Sequence, residues 1–502
     1  MENYLRRIAS GVFFVFLFGI LTSFVGYLLR FVLTANLTPA EYGLYYSCLS
    51  LIGLFSLFKD FGLNGSLIYH ISKFKAEKKF KKLNASVFTV LFIQIIPALI
   101  IATIIFFSSD FIAVNYLHLS KNLVFGVLVI KVLAIVYFIQ IFYNIVLSIL
   151  QGFQLMNFFA IVDFCRMLFY FILTFIFISL NFSVLSPALG FLISYIFVIL
   201  IFSPFALKLI PNFKKLHLER KIFDKELAKK LFFYGFPIML SSAAGLIIGY
   251  TDTILITIFR NLEEVGIYQT AQPTARLLWF FAGSFTTVLF PLVTELKTKK
   301  IKGLEKGVSL IYRYIWIIII PFALMSFSFS REILNLFFGS FYSSGSNVLK
   351  ILSIGAIFFS IVQVNGCVLN GLGKPKNYTK IVYIGAVINL ILNLVLIPII
   401  GITGAATSTL LTYIVMFLFS FAELKKFVKI KIPVITWLKT LIIGLISLSS
   451  IYILKNLLFV NIFLEVFVCF CVSIFIFIVL LLLFKVVELG ETLNLVRKII
   501  EK

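Results

Sequence analysis

Two stretches of the chain, GYLLRFVLTANLTPAEYGLY (Gly26–Tyr45) and GYTDTILITIFRNLEEVGIY (Gly249–Tyr268), align on each other without a gap. Each leaves a long apolar run, crosses a short polar turn and enters another apolar run. Further on, LQGFQLMNF from Leu150 matches LNGLGKPKNY from Leu369 at a slightly shorter lag. A repeat lag of about 220 residues in a chain of 502 divides it into two similar halves, the mark of a duplicated bundle.

The composition says what kind of bundle this is. Of the residues, 61% are hydrophobic and 13% charged, 61 are phenylalanine, and the mean hydropathy is +1.11. A soluble domain is nearer half apolar and a quarter charged, so this balance belongs to a polytopic membrane protein. Fourteen apolar stretches, the first at 8–33 and the last at 459–484, are long enough to cross a hydrocarbon core of about 30 Å. They include 42–71, 266–294 and 434–455. The predicted fold is an all-α membrane protein of 14 transmembrane helices: two six-helix lobes plus two C-terminal helices. Six is even, so the second lobe enters in the same direction as the first, and the lobes are related by a pseudo-twofold along the membrane normal. The expected divisions are 1–210 for the first lobe, 211–231 for a basic linker, 232–424 for the second lobe, 434–484 for the accessory helices and 485–502 for a tail.

The net charge of +24 is orientation information rather than a nucleic-acid groove, because the basic residues sit in short loops between spans. With the N-terminus inside, about 32 of the 44 basic residues fall on the inner side, in KFKAEKKFKK from Lys73, around Lys214–Lys230, in KTKKIK from Lys297 and in KKFVKIK from Lys425. Both termini are therefore expected inside, with no cleaved leader, in a multi-pass protein of the cell membrane. The five cysteines are scattered through apolar spans and the three histidines are isolated, so neither a disulfide framework, a metal nor another cofactor is expected.

Charges within the spans carry the functional reading, since each costs several kcal/mol unless paired, solvated or used. Arg276 lies about ten residues into the eighth span, near the midplane, and its planar fork of donors suits a diphosphate. Lys131 has a similar depth, and Arg166 is close to the midplane with Asp163 three residues earlier on the same helix face. These three are the candidate substrate-binding cations. In the repeat alignment Arg30 and Asp252 fall within one residue of each other, which suggests an outer gate of opposite charges. Lys59 and Asp60, in LFKDFGLNG, lie about 26 Å down the second span, where Gly62, Asn64 and Gly65 permit a break. They are candidates for an inner hinge or gate, and Asp60, Asp163 and Asp252 for ion coupling.

These residues also carry a family resemblance. LTPAEYGLYYSCLSLIGLFSLFKDFGLN resembles the signature of polysaccharide-lipid flippases in the multidrug/oligosaccharidyl-lipid/polysaccharide exporter superfamily. NLEEVGIYQTAQPTARLL and LNGLGKPKNYTKIVYIGAVINLILNLVLIPIIGITGAATSTLLTYI resemble later parts of the same family. The resemblance implies export of a polyprenyl-diphosphate-linked oligosaccharide from the inner to the outer leaflet in a bacterium or an archaeon, and a basic residue near Arg276. It implies membrane lipids and polysaccharide-assembly proteins as partners, and no catalysis. A multidrug or cation antiporter of the same superfamily is the nearest rival, and would favour acids where this chain has bases. A membrane-embedded glycosyltransferase or polymerase would want a large hydrophilic loop or paired carboxylates near one interface.

Overall fold

A computed structural model describes residues 2–120, 123–210, 225–283, 285–286, 289, 293, 304–429, 432–457 and 462–486. All regular elements among them are helical. Most of the basic linker, the KTKKIK segment, Pro291 with much of the eighth span beyond Gly283, and the tail from 487 lie outside the described residues.

The first compact unit is Met1–Gly266. It holds α1 (Glu2–Asn36), α2 (Pro39–Phe55), α3 (Leu57–Asp60), α4 (Leu63–Ala76), α5 (Phe80–Phe107), α6 (Ser109–Asn115), α7 (Leu123–Gly152), α8 (Met156–Ser179), α9 (Leu185–Lys208), α10 (Lys225–Phe259) and the start of α11 (Leu262–Arg276). The helix α10 packs on α2, α4 and α5, which is why it clusters with this unit.

The second unit, Ile267–Lys502, continues with α12 (Leu304–Ser328), α13 (Ser330–Phe338), a 3₁₀ segment (Ser340–Gly345), α14 (Ser346–Gly371), α15 (Pro375–Ile400), α16 (Ile402–Lys425), α17 (Val434–Leu457) and α18 (Ile462–Leu483). Here α14 packs on α16 and α12, and α15 packs on α16. The accessory helix α17 is fastened to α12 by two tryptophans. Trp316 and Trp437 stack at 4.5 Å, Trp316 donates to the Trp437 carbonyl, and Trp437 donates to the Tyr312 carbonyl, each at 3.2 Å. Such bonds give each indole N–H an acceptor where lipid offers none.

Eleven helices among the described residues are long and apolar enough to cross a membrane, and α2–α3 with α4 make a twelfth span bent by 44°. Of the other two expected spans, 434–455 corresponds to α17, and 266–294 runs beyond the described residues. Side chains such as Phe107 at 79% exposure, Ile435 at 74% and Phe475 at 69% would be untenable in such number against water; lipid is their solvent.

The repeat that organises the sequence has a local physical basis. In the first copy Thr38 caps α2: the Glu41 N–H donates to Thr38 Oγ1 at 3.3 Å while the Thr38 N–H donates to Glu41 Oε2 at 2.9 Å, with Pro39 at the first helical position. In the second copy Asn261 and Glu264 occupy the aligned positions, and the Glu264 N–H donates to Asn261 Oδ1 at 2.8 Å. The aligned glycines, Gly43 and Gly266, touch each other. A Cβ on Gly43 would fall on the Leu262 carbonyl, and one on Gly266 would fall on the Pro39 carbonyl.

The break in the second span is built from two successive left-handed residues, Phe61 at φ 47° and Gly62 at φ 70°. It is seated on α10, where Gly235 brings backbone against backbone. A Cβ on Gly62 would meet the Gly235 carbonyl, and one on Gly235 would come to 3.0 Å of the Phe61 and Gly62 carbonyls. Gly62→Ala therefore combines left-handed strain with a backbone clash and should destabilise the protein by about 1–3 kcal/mol. Gly235→Ala should also destabilise, whereas Gly245→Ala and Gly249→Ala, whose added Cβ atoms meet nothing within 4 Å, should not. Thermal melting of the four purified variants checks this, and an unchanged melting temperature for Gly62→Ala would remove the seat from the account.

Candidate functional site

A cavity of about 410 Å³ opens inside the first unit, walled by the break in the second span and by α7, α8, α9 and α10. Its polar lining includes Lys59, Asp60, Asn64, Gln140, Asn144 and Arg166, with Tyr195 and Tyr250 beside them. Three of the residues expected from sequence, Lys59, Asp60 and Arg166, thus share one chamber. The helix break makes this possible, because it turns adjacent side chains at its end to different neighbours.

Asp60 faces the break itself. Its Oδ1 accepts from the Asn64 N–H at 3.1 Å and from Gln94 Nε2 at 3.1 Å, and Gln94 also donates to Asn64 Oδ1 at 3.2 Å. The carboxylate thereby satisfies a backbone donor released where α4 begins, as expected of an acid beside a kink. Lys59 points elsewhere. It is 3% exposed, its Nζ donates to Gln140 Oε1, and it lies 4.6 Å from the centre of the Tyr137 ring. Among the described residues no carboxylate is within ion-pairing distance of it.

Arg166 is both paired and available. Its Nη2 and Nε donate to Asp163 Oδ1 at 3.0 and 3.2 Å, its Nε also reaches the Tyr143 hydroxyl at 3.3 Å, and that hydroxyl donates to Asp163 at 2.9 Å. The guanidinium lies 5.5 Å from the Tyr195 ring centre, a cation–π distance. Asp163 itself does not line the cavity, so the lining counts two cations and one acid.

The other expected residues lie outside this chamber. Lys131 is half-buried with its ammonium 5.4 Å from the Phe106 ring centre. Arg276, in the second unit, lies 5.3 Å from the Trp279 ring centre, and among the described residues its buried Nε has no hydrogen-bond partner. Arg30 donates to the Tyr42 hydroxyl at 3.1 Å and sits 4.5 Å from the Tyr46 ring centre, while Asp252 is 1% exposed between the buried Thr251 and Thr253. Both belong to the first compact unit, so the outer gate expected between lobes has its two charges within one unit.

Sequence reasoning missed Gln94, Gln140, Asn144, Tyr143 and Tyr195. A signal for two of them exists: Gln140 and Asn144 are amides four residues apart in an apolar span, hence on one helix face. No group of three or more metal-ligating side chains is found among the described residues.

The geometry separates the role of the Asp60 charge from that of its oxygen. Asn keeps an acceptor for the Asn64 N–H, so Asp60→Asn should melt close to wild type, whereas Asp60→Ala should lose about 1–2 kcal/mol as a lost cap does. Equal melting temperatures for Asp60→Ala and wild type would show that the cap contributes nothing.

Comparison with known proteins gives the chain a family. The model of the polysaccharide biosynthesis protein family matches residues 8–297, and the MatE model matches residues 237–395. The chain is 33% identical to the uncharacterized membrane protein MJ1068 of Methanocaldococcus jannaschii over the full length of both. It is 29% identical to the probable low-salt glycan biosynthesis flippase Agl15 of Haloferax volcanii, over 54% of this chain and 57% of the relative. The solved structure of the lipid II flippase MurJ in an inward closed conformation shares the fold, with a TM-score of 0.76 at 18% identity, covering 93% of this chain and 98% of that one. The chain belongs to the polysaccharide biosynthesis protein family of multi-pass membrane proteins, within the multidrug/oligosaccharidyl-lipid/polysaccharide exporter superfamily.

Proposed function

We propose that this protein is a flippase that moves a polyprenyl-diphosphate-linked oligosaccharide from the cytoplasmic to the outer leaflet by alternating access, for assembly of a surface glycan. The observation that supports this most directly is the charge of the chamber in the first unit. Among the described residues Lys59 is buried with no acid at ion-pairing distance, and Arg166 lines the same chamber. An uncompensated cation in a membrane interior is costly unless an anion visits it. Polyprenyl diphosphates present an oxyanion of the right charge, while the apolar tail stays in lipid. At about 410 Å³ the cavity is at the lower end of small-molecule sites, suited to a headgroup rather than a whole glycan. The topology that goes with this reading has fourteen spans with both termini inside.

The MatE match over residues 237–395 favours a second reading, a multidrug or cation antiporter. The two differ in the sign of the substrate. In proteoliposomes, a fluorescent polyprenyl-diphosphate oligosaccharide should cross, and Lys59→Ala and Arg166→Ala should each cut the rate at least tenfold while melting within a few degrees of wild type. Export of a cationic dye driven by a proton or sodium gradient, with no movement of the glycolipid, would replace the flippase by the antiporter. For the topology, a cysteine replacing Lys79 should react with an impermeant maleimide only from the cytoplasmic side, and one replacing Asn181 only from outside. The reverse pattern would invert the orientation and with it the assignment of leaflets.

A further inference from the structure

We propose that Gln140 sets the charge preference of the chamber, as a neutral tether that holds the Lys59 ammonium in place without cancelling its charge. This rests on the anionic-substrate reading above and adds a positioning residue to it. A lysine at 3% exposure ordinarily ends on a carboxylate. Here the two nearby acids are engaged elsewhere. Asp60 accepts from the Asn64 N–H and from Gln94, and Asp163 accepts from Arg166 and Tyr143. Lys59 is instead given an amide oxygen and the face of Tyr137.

The other end of that amide is also held. Gln140 Nε2 donates to the Tyr195 hydroxyl at 3.2 Å, which directs the oxygen towards Lys59, since an amide has one acceptor end and one donor end. Tyr195 is wedged by Phe191 and Tyr143, each with ring centres 5.0 Å away, and Arg166 lies over it. Gln140 therefore links the lysine on one wall to the ring beneath the arginine on another. Glutamate at this position has the same size and would accept from both Lys59 and Tyr195, so the exchange alters charge while leaving shape. The ligand chemistry is a diphosphate oxyanion, either the headgroup of a lipid or a free ion.

Binding of inorganic pyrophosphate and of farnesyl diphosphate to the full-length protein in nanodiscs, measured by calorimetry, tests this. Gln140→Glu should weaken both by tenfold or more, and Lys59→Gln should do the same. Gln140→Leu added to Lys59→Gln should weaken binding less than twofold further, because the tether acts only through the ammonium. Gln140→Leu, which removes the tether and keeps the ammonium, should weaken binding by a smaller factor than Gln140→Glu. The ligand bound more tightly by wild type identifies the source as lipid-linked or free. Unchanged affinity in Gln140→Glu, or a loss from Gln140→Leu that persists in full on the Lys59→Gln background, overturns the tether. Dependence on Lys59 without dependence on Gln140 overturns the tether alone, whereas independence from both overturns the anionic reading with it.

Discussion

The contact between the backbone at Gly62 and the backbone at Gly235 is the constraint from which the chamber follows. Two left-handed residues cannot be placed in a lipid-embedded helix without freeing backbone donors, and hydrocarbon offers no water to take them. The chain answers this locally: Asp60 accepts from the Asn64 N–H, and Gln94 closes the group from α5. That use of Asp60 has a consequence one residue earlier. The acid that would otherwise be the natural partner of Lys59 is committed to the kink, and the ammonium is left to neutral groups. The break thus shapes the cavity wall and also decides its charge.

The same economy governs the arginine. Asp163 and Tyr143 orient Arg166 through three hydrogen bonds to its Nε and Nη2, leaving the face of the guanidinium over Tyr195. Tyrosines recur here because a phenol can donate, accept and stack without adding charge. A chamber lined by carboxylates would have neutralised both cations, and one lined only by apolar groups would have left them too costly to keep. An amide and a phenol ring hold Lys59 at intermediate cost, and one acid with one phenol holds Arg166.

Much of this was legible in the sequence, for identifiable reasons. The repeat and the spans follow from periodicity and length. The pairing of Asp163 with Arg166 needed only helix geometry, and the break after Asp60 followed from Gly62, Asn64 and Gly65. Depth alone proved a weaker guide. Lys131 and Arg166 were expected at comparable depths, yet one packs on Phe106 and the other lines the chamber, because depth says nothing of which way a helix is turned. The contacts of Lys59 with Gln140, and of Gln140 with Tyr195, join residues far apart in the chain, and no local pattern announces them.

The modest surplus of positive charge also bears on how a flippase would release what it binds. A diphosphate with two negative charges would meet Lys59 held by a neutral amide and Arg166 already paired with Asp163. Its charge would be compensated only in part. A site that compensated it fully would hold the substrate more tightly in both orientations, adding affinity without adding turnover. The residual charge is also what an inside-negative membrane potential acts on, at about 2.3 kcal/mol per charge per 100 mV. A chamber with one tethered cation and one cation paired to an acid therefore suits an anion that is to be bound and released.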